Sequence, residues 1–305
     1  MTRALAFAVA VASLSMVRAA RADDLEDNIV YLPMPSGESL RVRNPLGSVT
    51  VRGWDRPEVR IVANKRALVP QLLDRLKARV DIRDGRVDLA TGVYLSDGTW
   101  HPIPQRNASI DLTIHAPRGM AVDAAGRADV TASGFTSGAK LASETGEIHA
   151  FDLTGEVATR TGNGRQSLQE IRGRVDASGV EGDLELQSIA GDTVDAIVVK
   201  GQITAREVSS PVVRLRAATG TIIYMGPIVV GGRYELSTYQ GDIRMTLRPL
   251  PFRIVAEAPQ GTIATALPLD GGPWPKGRVD GSFRGGGASL ALRTQTGSIS
   301  LAVER

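Results

Sequence analysis

Residues 164–205 read GRQSLQEIRGRVDASGVEGDLELQSIAGDTVDAIVVKGQITA, and this stretch decides the fold. Glycine recurs in it at positions 164, 182 and 201, and a second series recurs at 173 and 191. Between the glycines, apolar residues alternate with polar ones, which is typical of short strands with one buried face. Glycine adopts positive φ without steric cost, so it suits the sharp corners between such strands. The stretch therefore predicts repeated coils of chain, each with at least two short strands.

The same spacing continues over most of the chain. From Gly126 onward the steps between corresponding glycines are 20, 18, 18, 19, 19, 21, 20 and 36 residues, and the last is two steps of 18. The aligned residues are Gly47, Gly126, Gly146, Gly164, Gly182, Gly201, Gly220, Gly241, Gly261 and Gly297. Two residues after each glycine, nine of the ten side chains are apolar, and the exception is Gln166. One residue after each glycine, all ten are polar.

These columns predict an all-β fold in which coils of about 18–20 residues stack into a parallel β-helix, or β-solenoid. Stacked coils pair strand upon strand, and a narrow lumen fills with Ile, Val, Leu and Ala because no single coil can bury its inner face alone. An antiparallel sandwich also gives short alternating strands and is the alternative. It would not keep equivalent residues in phase over so many coils. We assign residues 121–305 to the regular repeats.

Residues 23–120 depart from the regular spacing and predict an N-terminal part that caps the solenoid. Within residues 67–80, leucines and a valine recur at helical spacing, which predicts a short amphipathic helix. The alternating stretches 79–90 and 108–116 predict strands, and residues 92–107 between them predict a polar loop. A cap is expected here because the end of a solenoid exposes strand edges that must be covered.

Residues 1–22 have the three parts of a secretory signal peptide. Arg3 gives a basic start, Ala4–Val17 is an apolar run, and Ala20-Arg21-Ala22 is a small-x-small cleavage site. The apolar run is short for a membrane span. We therefore predict export through a signal peptide cleaved between Ala22 and Asp23, to the periplasm, the cell envelope or the exterior. An uncleaved N-terminal anchor is the alternative.

The charge and composition exclude several classes of function. The formal net charge is +3, but cleavage would remove three arginines and no acidic residue, which leaves 33 basic and 33 acidic residues. No basic excess then remains to attract nucleic acid, so we predict no nucleic-acid partner. The absence of Cys excludes disulfides and thiol catalysis. No second apolar run of about 18 residues follows, so we predict no membrane span in the mature chain.

Several motifs together resemble a known family. Residues 41–55 read RVRNPLGSVTVRGWD, and Val59-Arg60-Ile61 follows them. A later strand ends at Ala116-Pro117-Arg118-Gly119, and ladders such as Thr145-Gly146-Glu147-Ile148 and Gln240-Gly241-Asp242-Ile243 come after it. In these motifs the chain resembles the bacterial putative-adhesin family of repeat β-solenoids, which is classed as a domain of unknown function.

The resemblance covers about residues 39–303, nearly the whole mature chain. It implies a right-handed, single-stranded β-helix in the cell envelope or outside the cell. It implies no enzymatic activity, and the family has no motif of catalytic residues to transfer to this sequence.

A group of carboxylates suggests an enzymatic function as the alternative. Asp183, Glu185, Asp192 and Asp195 fall on one or two adjacent coils, with Asp242 further on. Glycoside hydrolysis needs two carboxyl groups roughly 5–10 Å apart, and strands stacked about 4.8 Å apart could provide this separation. Outward Asp and Glu are also the ordinary surface of a soluble sheet, where they discourage edge pairing. The alternative is a carbohydrate-active β-helix, a polysaccharide hydrolase or lyase, that uses the carboxylates around Asp183–Asp195.

Other residue groups match no catalytic, cofactor-binding or metal-binding motif. The separations of His101, His115 and His149 fit no metal site, and nothing pairs them with a nucleophile. Residues 285–287 are three glycines, but neither a calcium-binding nonapeptide nor a phosphate loop follows from the residues after them. We therefore assign no catalytic, cofactor or metal residues, and we predict a flexible turn at the three glycines.

Five aromatic side chains are candidates for stacking on a sugar. They are Trp54, Trp100, Trp274, Tyr94 and Tyr239. Trp54 follows a glycine at a turn, which favours a role in covering the first coil. Trp100 lies in the predicted polar loop, and loops carry recognition on rigid scaffolds, so it is the strongest candidate for an exposed contact.

The sequence therefore predicts a non-enzymatic, secreted or periplasmic β-solenoid with no cofactor. Its function would be an adhesin-like interaction at the cell surface or within the envelope. The partner would be a cell-surface polysaccharide or an envelope protein, including a partner in envelope signalling.

Overall fold

The computed structural model describes residues 23–24, 29–33, 38–102 and 107–304. The predicted signal peptide, residues 1–22, lies outside the described residues, as does part of the predicted loop, residues 103–106. The described chain is all-β, as predicted, and its one helix has four residues.

The chain order of the elements gives 28 strands and one helix in the described residues. They are β1 (Asp23–Asp24), β2 (Ile29–Pro33), β3 (Ser39–Asn44), β4 (Val49–Trp54), β5 (Glu58–Ala67), α1 (Pro70–Leu73), β6 (Leu76–Arg83), β7 (Arg86–Tyr94), β8 (Trp100–His101), β9 (Ala108–Pro117), β10 (Ala121–Gly126), β11 (Val130–Phe135), β12 (Ala139–Ser143), β13 (Ile148–Thr154), β14 (Val157–Asn163), β15 (Gln166–Arg172), β16 (Val175–Glu181), β17 (Leu184–Ala190), β18 (Thr193–Lys200), β19 (Ile203–Ser209), β20 (Val212–Thr219), β21 (Ile222–Gly226), β22 (Arg233–Gln240), β23 (Ile243–Leu247), β24 (Phe252–Glu257), β25 (Ile263–Thr265), β26 (Arg278–Phe283), β27 (Ala288–Thr296) and β28 (Ile299–Val303).

The strands form two long, mostly parallel sheets. Sheet A has 15 strands in the order β1-β6-β7-β3-β10-β12-β14-β16-β18-β20-β22-β27-β24-β26, with β8 paired to β7. Sheet B has 13 strands in the order β2-β5-β9-β4-β11-β13-β15-β17-β19-β21-β23-β28-β25. From β10 to β23 the chain alternates between the two sheets, and from β12 onward each of these strands stacks on the strand two places earlier. This parallel pairing excludes the antiparallel sandwich.

The register keeps the predicted columns in phase. In sheet B, Ile148 pairs with Gln166 and Gln166 with Leu184, whereas Leu184 pairs with Ile203, so the partners are 18, 18 and 19 positions apart. Apolar residues of these columns are buried, including Ile148, Leu184 and Ile203, and they form one continuous core between the sheets. The alternation of inward apolar and outward polar residues is confirmed. The right-handed winding stays a prediction.

The polar exception in the inward column, Gln166, is satisfied within the core. Its side chain is 1% exposed. The Thr159 hydroxyl donates a hydrogen bond to Gln166 Oε1 over 2.6 Å, and Gln166 Nε2 donates to the carbonyl oxygen of Ser178 over 2.8 Å. A buried amide costs little when its donors and acceptors are paired, so the column tolerates this residue.

From β13 onward, the corners before the strands of sheet B form a stack of glycines packed backbone against backbone. Gly220 has a φ of +150°, and a Cβ on it would lie 1.8 Å from the carbonyl oxygen of Gly201. No side chain fits in that space, so the stacking itself requires glycine. The alignment of Gly126 with this stack was wrong. Because Val130 pairs with Ile148, the corner residue of that coil is Ala128.

A second column, which the sequence did not indicate, bends the strands of sheet B. Four stacked residues that are not glycine have φ between +49° and +55°, namely Asp152, Glu170, Ser188 and Glu207. Left-handed backbone at a single residue interrupts the strict alternation of a strand. The residue after each bend points inward and is buried, as Leu153, Ile171, Ile189 and Val208 show.

The amphipathic helix predicted over residues 67–80 was wrong in extent. Only Pro70–Leu73 are helical, and Leu76–Arg83 form strand β6. The leucine and valine spacing fits two periods, because Leu76, Ala78 and Val80 are also every second residue and all three are buried. Pairing with β7 decides in favour of the strand.

The predicted strand over residues 79–90 is interrupted by a hairpin. Asp84 and Gly85 both have positive φ, +48° and +72°, and connect β6 to the antiparallel β7. Asp-Gly is a favoured pair for a two-residue hairpin turn because such turns need positive φ at both positions. The predicted loop over residues 92–107 is partly strand, since Val93 and Tyr94 pair with His101 and Trp100.

At both ends the coils stack out of sequence order. Strands β3 and β4 lie between the coil of β7 and β9 and the coil of β10 and β11. At the other end, β27 and β28 lie between the coil of β22 and β23 and the coil of β24 and β25. The interpretation of the 36-residue step as two consecutive coils was therefore wrong, since Gly297 packs on Gly241 and Gly261 packs on Gly297.

Antiparallel strands close the two ends. Strand β5 pairs antiparallel with β9, β2 with β5, and β26 with β24. Residues 285–287 form the predicted turn between β26 and β27. In the described part of the chain, no helix has the length and apolar character to span a bilayer.

Candidate interaction surface

The structure separates the carboxylates that the sequence placed together. Asp183 lies at the corner before β17 of sheet B, and Asp192 lies at the opposite corner, before β18 of sheet A. Glu185 points outward from sheet B, whereas Asp195 points outward from sheet A. The two sheets face each other across the core, so Glu185 and Asp195 are on opposite faces of the molecule.

Each of the two outward carboxylates is held by arginines on stacked strands. Asp195 contacts Arg216 Nη2 over 2.6 Å and Arg214 Nη1 over 3.8 Å. Glu185 contacts Arg165 Nη2 over 3.1 Å and Arg206 Nη1 over 3.6 Å. These ion pairs between neighbouring coils form a surface network in which arginines neutralise each carboxylate.

The corner aspartates bind backbone rather than ligand. Asp183 Oδ1 accepts the N–H of Gln202 over 2.9 Å, and Asp242 Oδ1 accepts the N–H of Ser298 over 3.0 Å. Asp129 makes the same contact with Glu147. Because each aspartate caps an amide of the next coil, its role is to join one corner to the following one.

The three histidines lie far apart and have different surroundings. His149 Nε2 is 3.1 Å from Glu147 Oε2, and His101 Nε2 is 3.0 Å from the Thr99 hydroxyl. The ring of His115 lies 5.3 Å from that of Trp54, and its buried Nδ1 has no hydrogen-bond partner. Within residues 38–102 and 107–304, no three His, Asp or Glu side chains are arranged to hold a metal ion.

The outer face of sheet B carries two long rows of mostly uncharged polar side chains. Paired residues along the first row are Thr113, Thr50, Thr131, His149, Ser167 and Glu185, and the next residue in the row, Thr204, is buried. The second row contains Arg52, Ser133, Phe151, Gln169, Gln187 and Arg206. Because the register is unbroken, equivalent positions repeat about every 4.8 Å along these rows, and hydroxyl or amide groups occupy many of them. Phe151 is 45% exposed within this face.

Of the five candidate aromatics, Tyr239 is the exposed one, at 68%. Trp54 donates to the Glu58 carbonyl, and Trp274 donates to the Asp280 carbonyl, so each packs on its own turn. The prediction that Trp100 is the strongest exposed candidate was wrong. Its ring covers Gly92, which has no side chain to hold it away, and the Arg79 guanidinium lies 5.2 Å from the ring centroid.

Tyr239 borders a groove of about 770 Å³ on the outer face of sheet A. One wall is the row formed by Ser237, Arg293, Glu257 and Arg278, which are cross-strand neighbours on β22, β27, β24 and β26. Tyr239, Gln295, Pro259 and the segment Pro275–Gly277 also line the groove. We call this the Tyr239 groove. Since β27 reaches its place out of sequence order, the sequence repeat could not have placed these residues together.

A second groove of about 670 Å³ lies on sheet A near the N-terminal end. Its floor includes Ala125 and Ala142, and Arg127 and Arg160 line it. Arg43, also in the lining, is held by Asp123, with Nη2 2.6 Å from Oδ2. This groove has basic walls and no aromatic lining.

Comparisons with known proteins identify a few structural neighbours. The sequence matches no protein-family model, and no curated protein matches it significantly. A solved putative cell adhesion protein from Clostridium sporogenes is similar with 9% identity, covering 93% of this chain and 100% of that one, at a TM-score of 0.25. A putative adhesin from Bacteroides fragilis has 12% identity, 90% and 95% coverage and a TM-score of 0.44. One from Parabacteroides merdae has 10% identity, 91% and 95% coverage and a TM-score of 0.42. These neighbours are described as adhesins, as in the family that the sequence resembles, and their names assign no function to this chain.

Proposed function

We propose that this protein is a non-enzymatic, adhesin-like interaction protein of the cell envelope or cell surface. Its ligand would be a cell-surface polysaccharide or an envelope protein. Export would use a signal peptide that is cleaved between Ala22 and Asp23, and Asp23–Asp24, the first residues after that site, pair with β6. N-terminal sequencing of the secreted or periplasmic protein would test the cleavage site.

One observation carries the proposal, namely the unbroken outer face of sheet B. Its hydroxyl and amide groups stand in register over many coils, so a long ligand can make the same weak contact repeatedly. By contrast, the outward carboxylates Glu185 and Asp195 lie on different sheets, and each is paired with arginines of its own chain. The geometry therefore favours binding over hydrolysis.

Retention and catalysis can be scored in one experiment. Purified residues 23–305 would be passed over immobilised envelope and extracellular polysaccharides, and the eluate would be analysed for shortened or unsaturated products. We expect retention on at least one polymer without products. Asp195→Asn and Asp183→Asn should leave retention within about twofold, because both residues bind their own chain.

Products that disappear in either variant would overturn the proposal and make the protein an enzyme. Loss of retention spread over several substitutions on sheet B, such as Thr131→Ala and Gln169→Ala, would support a flat binding face. Retention by none of the polymers would move the search to envelope proteins captured by cross-linking in the native envelope.

A further inference from the structure

We propose that the Tyr239 groove binds one acidic sugar unit of a linear polysaccharide, with the sugar ring on Tyr239 and its carboxylate toward Lys276. This inference rests on the proposed function and names a specific site within it. The groove lies on sheet A and is distinct from the outer face of sheet B, so an experiment can disprove binding at one of them without disproving binding at the other.

The charges that line the groove favour an anion. Three cations, Lys276, Arg278 and Arg293, line the groove with one carboxylate, Glu257, and Asp280 contacts Arg278 Nη2 over 3.6 Å. Glu257 contacts Arg278 Nη1 over 2.9 Å and Arg293 Nε over 3.3 Å, so one carboxylate holds both guanidinium groups in place. Lys276 has no ion-pair partner among the described residues. A carboxylate of the ligand would supply the ion-pair partner of Lys276.

The apolar part of the groove favours a ring. Tyr239 is exposed, and Pro259 and Pro275 also line the cavity. A sugar ring presents an apolar face of C–H groups to an aromatic side chain and directs its hydroxyls to polar groups. Gln295 and Ser237 supply such groups within the lining. A small inorganic anion would leave this apolar surface unused.

The groove is open toward an exposed apolar ridge, which favours a polymer over a single sugar. Val180, Val199, Ala218 and Tyr239 stand on successive strands of sheet A, beside the paired residues of those strands. Val180 is 55% exposed and Val199 is 51% exposed. A linear chain that enters the groove at Tyr239 can therefore continue along the ridge.

The turn that carries Lys276 is held in place by hydrogen bonds. The Gly277 carbonyl accepts the N–H of Ala258 over 2.8 Å, and the Pro275 carbonyl accepts the N–H of Arg278 over 3.2 Å. Trp274 Nε1 donates to the Asp280 carbonyl over 2.8 Å. Lys276 is thus presented from an anchored loop, which lowers the entropy lost on binding.

Titration calorimetry with a defined ligand pair tests the proposal. The probe is a galacturonic acid hexamer, and its matched partner is the same hexamer with every carboxylate methyl-esterified. We expect the acid to bind and the ester to bind at least about tenfold more weakly. Tyr239→Ala should weaken binding about tenfold or more, Tyr239→Phe should retain it, and Lys276→Gln should weaken it about threefold to tenfold.

Two control variants separate the groove from the rest of the surface. Tyr31→Ala removes a tyrosine that is 53% exposed at the other end, and Arg160→Gln removes a cation from the second groove. Both should bind the acid hexamer as the unmodified protein does. Circular dichroism melts of every variant would show that the fold is kept.

Equal binding of acid and ester, unchanged binding by Tyr239→Ala, or equally tight binding of a single-stranded oligonucleotide would each overturn the assignment. So would the absence of binding to the acid hexamer. The proposed function would survive these results if the Tyr239→Ala protein were still retained on an envelope polysaccharide. Both the proposed function and the groove assignment would fail only if, in addition, no polymer retained the protein and no envelope protein were captured with it.

Discussion

Ile222 and Thr221 are neighbours with opposite surroundings. Ile222 is fully buried between Ile203 and Ile243 of the stacked strands, whereas Thr221 lies at the partly exposed corner. Ile222→Asp would bury an unpaired charge and should lower the free energy of unfolding by more than about 4 kcal/mol. Thr221→Asp should change it by less than about 0.5 kcal/mol, because the corner already accepts aspartate at Asp183 and Asp242. Equal melting temperatures of the two variants would contradict the assignment of inward and outward residues.

Ser188 tests the bend in sheet B. Its φ is +55°, a region that costs a β-branched residue more than it costs serine. Ser188→Val should lower the free energy of unfolding by about 1–2 kcal/mol, and Ser188→Gly should raise it by up to about 1 kcal/mol. The matched control is Gln187→Val at the adjacent exposed position in ordinary strand backbone, where we expect no loss. Denaturant titration measures all three, and a tolerated Ser188→Val would show that the backbone is not held left-handed.

His115 gives the stability a dependence on pH. Burial of the ring, with the nearby guanidinium groups of Arg60 and Arg52, holds the pKa of His115 below its ordinary value of 6.5. The unfolded chain therefore binds more protons as the pH falls through 6.5 toward the lowered pKa, and stability is lost in that window. We expect His115→Gln to melt at a relatively higher temperature at about pH 5 than at about pH 7.5, compared with the unmodified protein. A difference that stays constant between the two pH values would refute this.

At the scale of elements, the local sequence pattern predicted where most strands lie but not which strands pair with each other. The columns after Gly146 follow from spacing alone, because a repeated corner and an alternating strand are local features. Leu76 and Val80 fit both a helix and a strand, and only pairing with β7 decides between them. The Asp84-Gly85 turn was the available signal for that pairing. Gly126 and Ala128 are both small, so composition alone could not decide which of them forms the corner.

Strands β27 and β28 insert between two earlier coils, so we expect them to be as stable as interior strands. The same insertion made their order unpredictable. Each equivalent coil has a similar length, so spacing cannot show that these strands insert between two earlier coils. Leu292 is fully buried and pairs with Leu236 on one side and Ala256 on the other. Leu292→Ala should therefore lower the free energy of unfolding by about 2–5 kcal/mol, as much as Leu236→Ala.

Hydrogen exchange offers an independent check on this insertion. Amides of residues 290–301 should be protected as strongly as those of residues 234–247, although chain ends usually exchange quickly. Rapid exchange confined to residues 288–303 would place these strands at an edge instead.

At the scale of the whole molecule, the binding surfaces were only partly predictable. Outward Thr, Ser and Gln follow from the alternation, and Tyr239 belongs to the few aromatics that the sequence offers. The Tyr239 groove itself could not be foreseen, because Tyr239, Glu257, Lys276 and Arg293 meet only when β27 inserts before β24. The candidate carboxylates are divided for a related reason, since residues that are near in sequence, such as Glu185 and Asp195, point to different faces.

A molecule built from stacked equivalent coils should tolerate the removal of one complete coil. Deleting residues 184–202 joins Asp183 to Ile203, so β15 would pair with β19 and β16 with β20 in the existing register. We expect this variant to melt cooperatively and to keep whatever affinity the Tyr239 groove has, because each coil contacts only its neighbours. Deleting residues 184–192 instead removes half a coil and would send every later strand to the opposite sheet, so it should not fold. If the two deletions behave alike in circular dichroism melts, the two-sheet solenoid does not describe how this chain is held together.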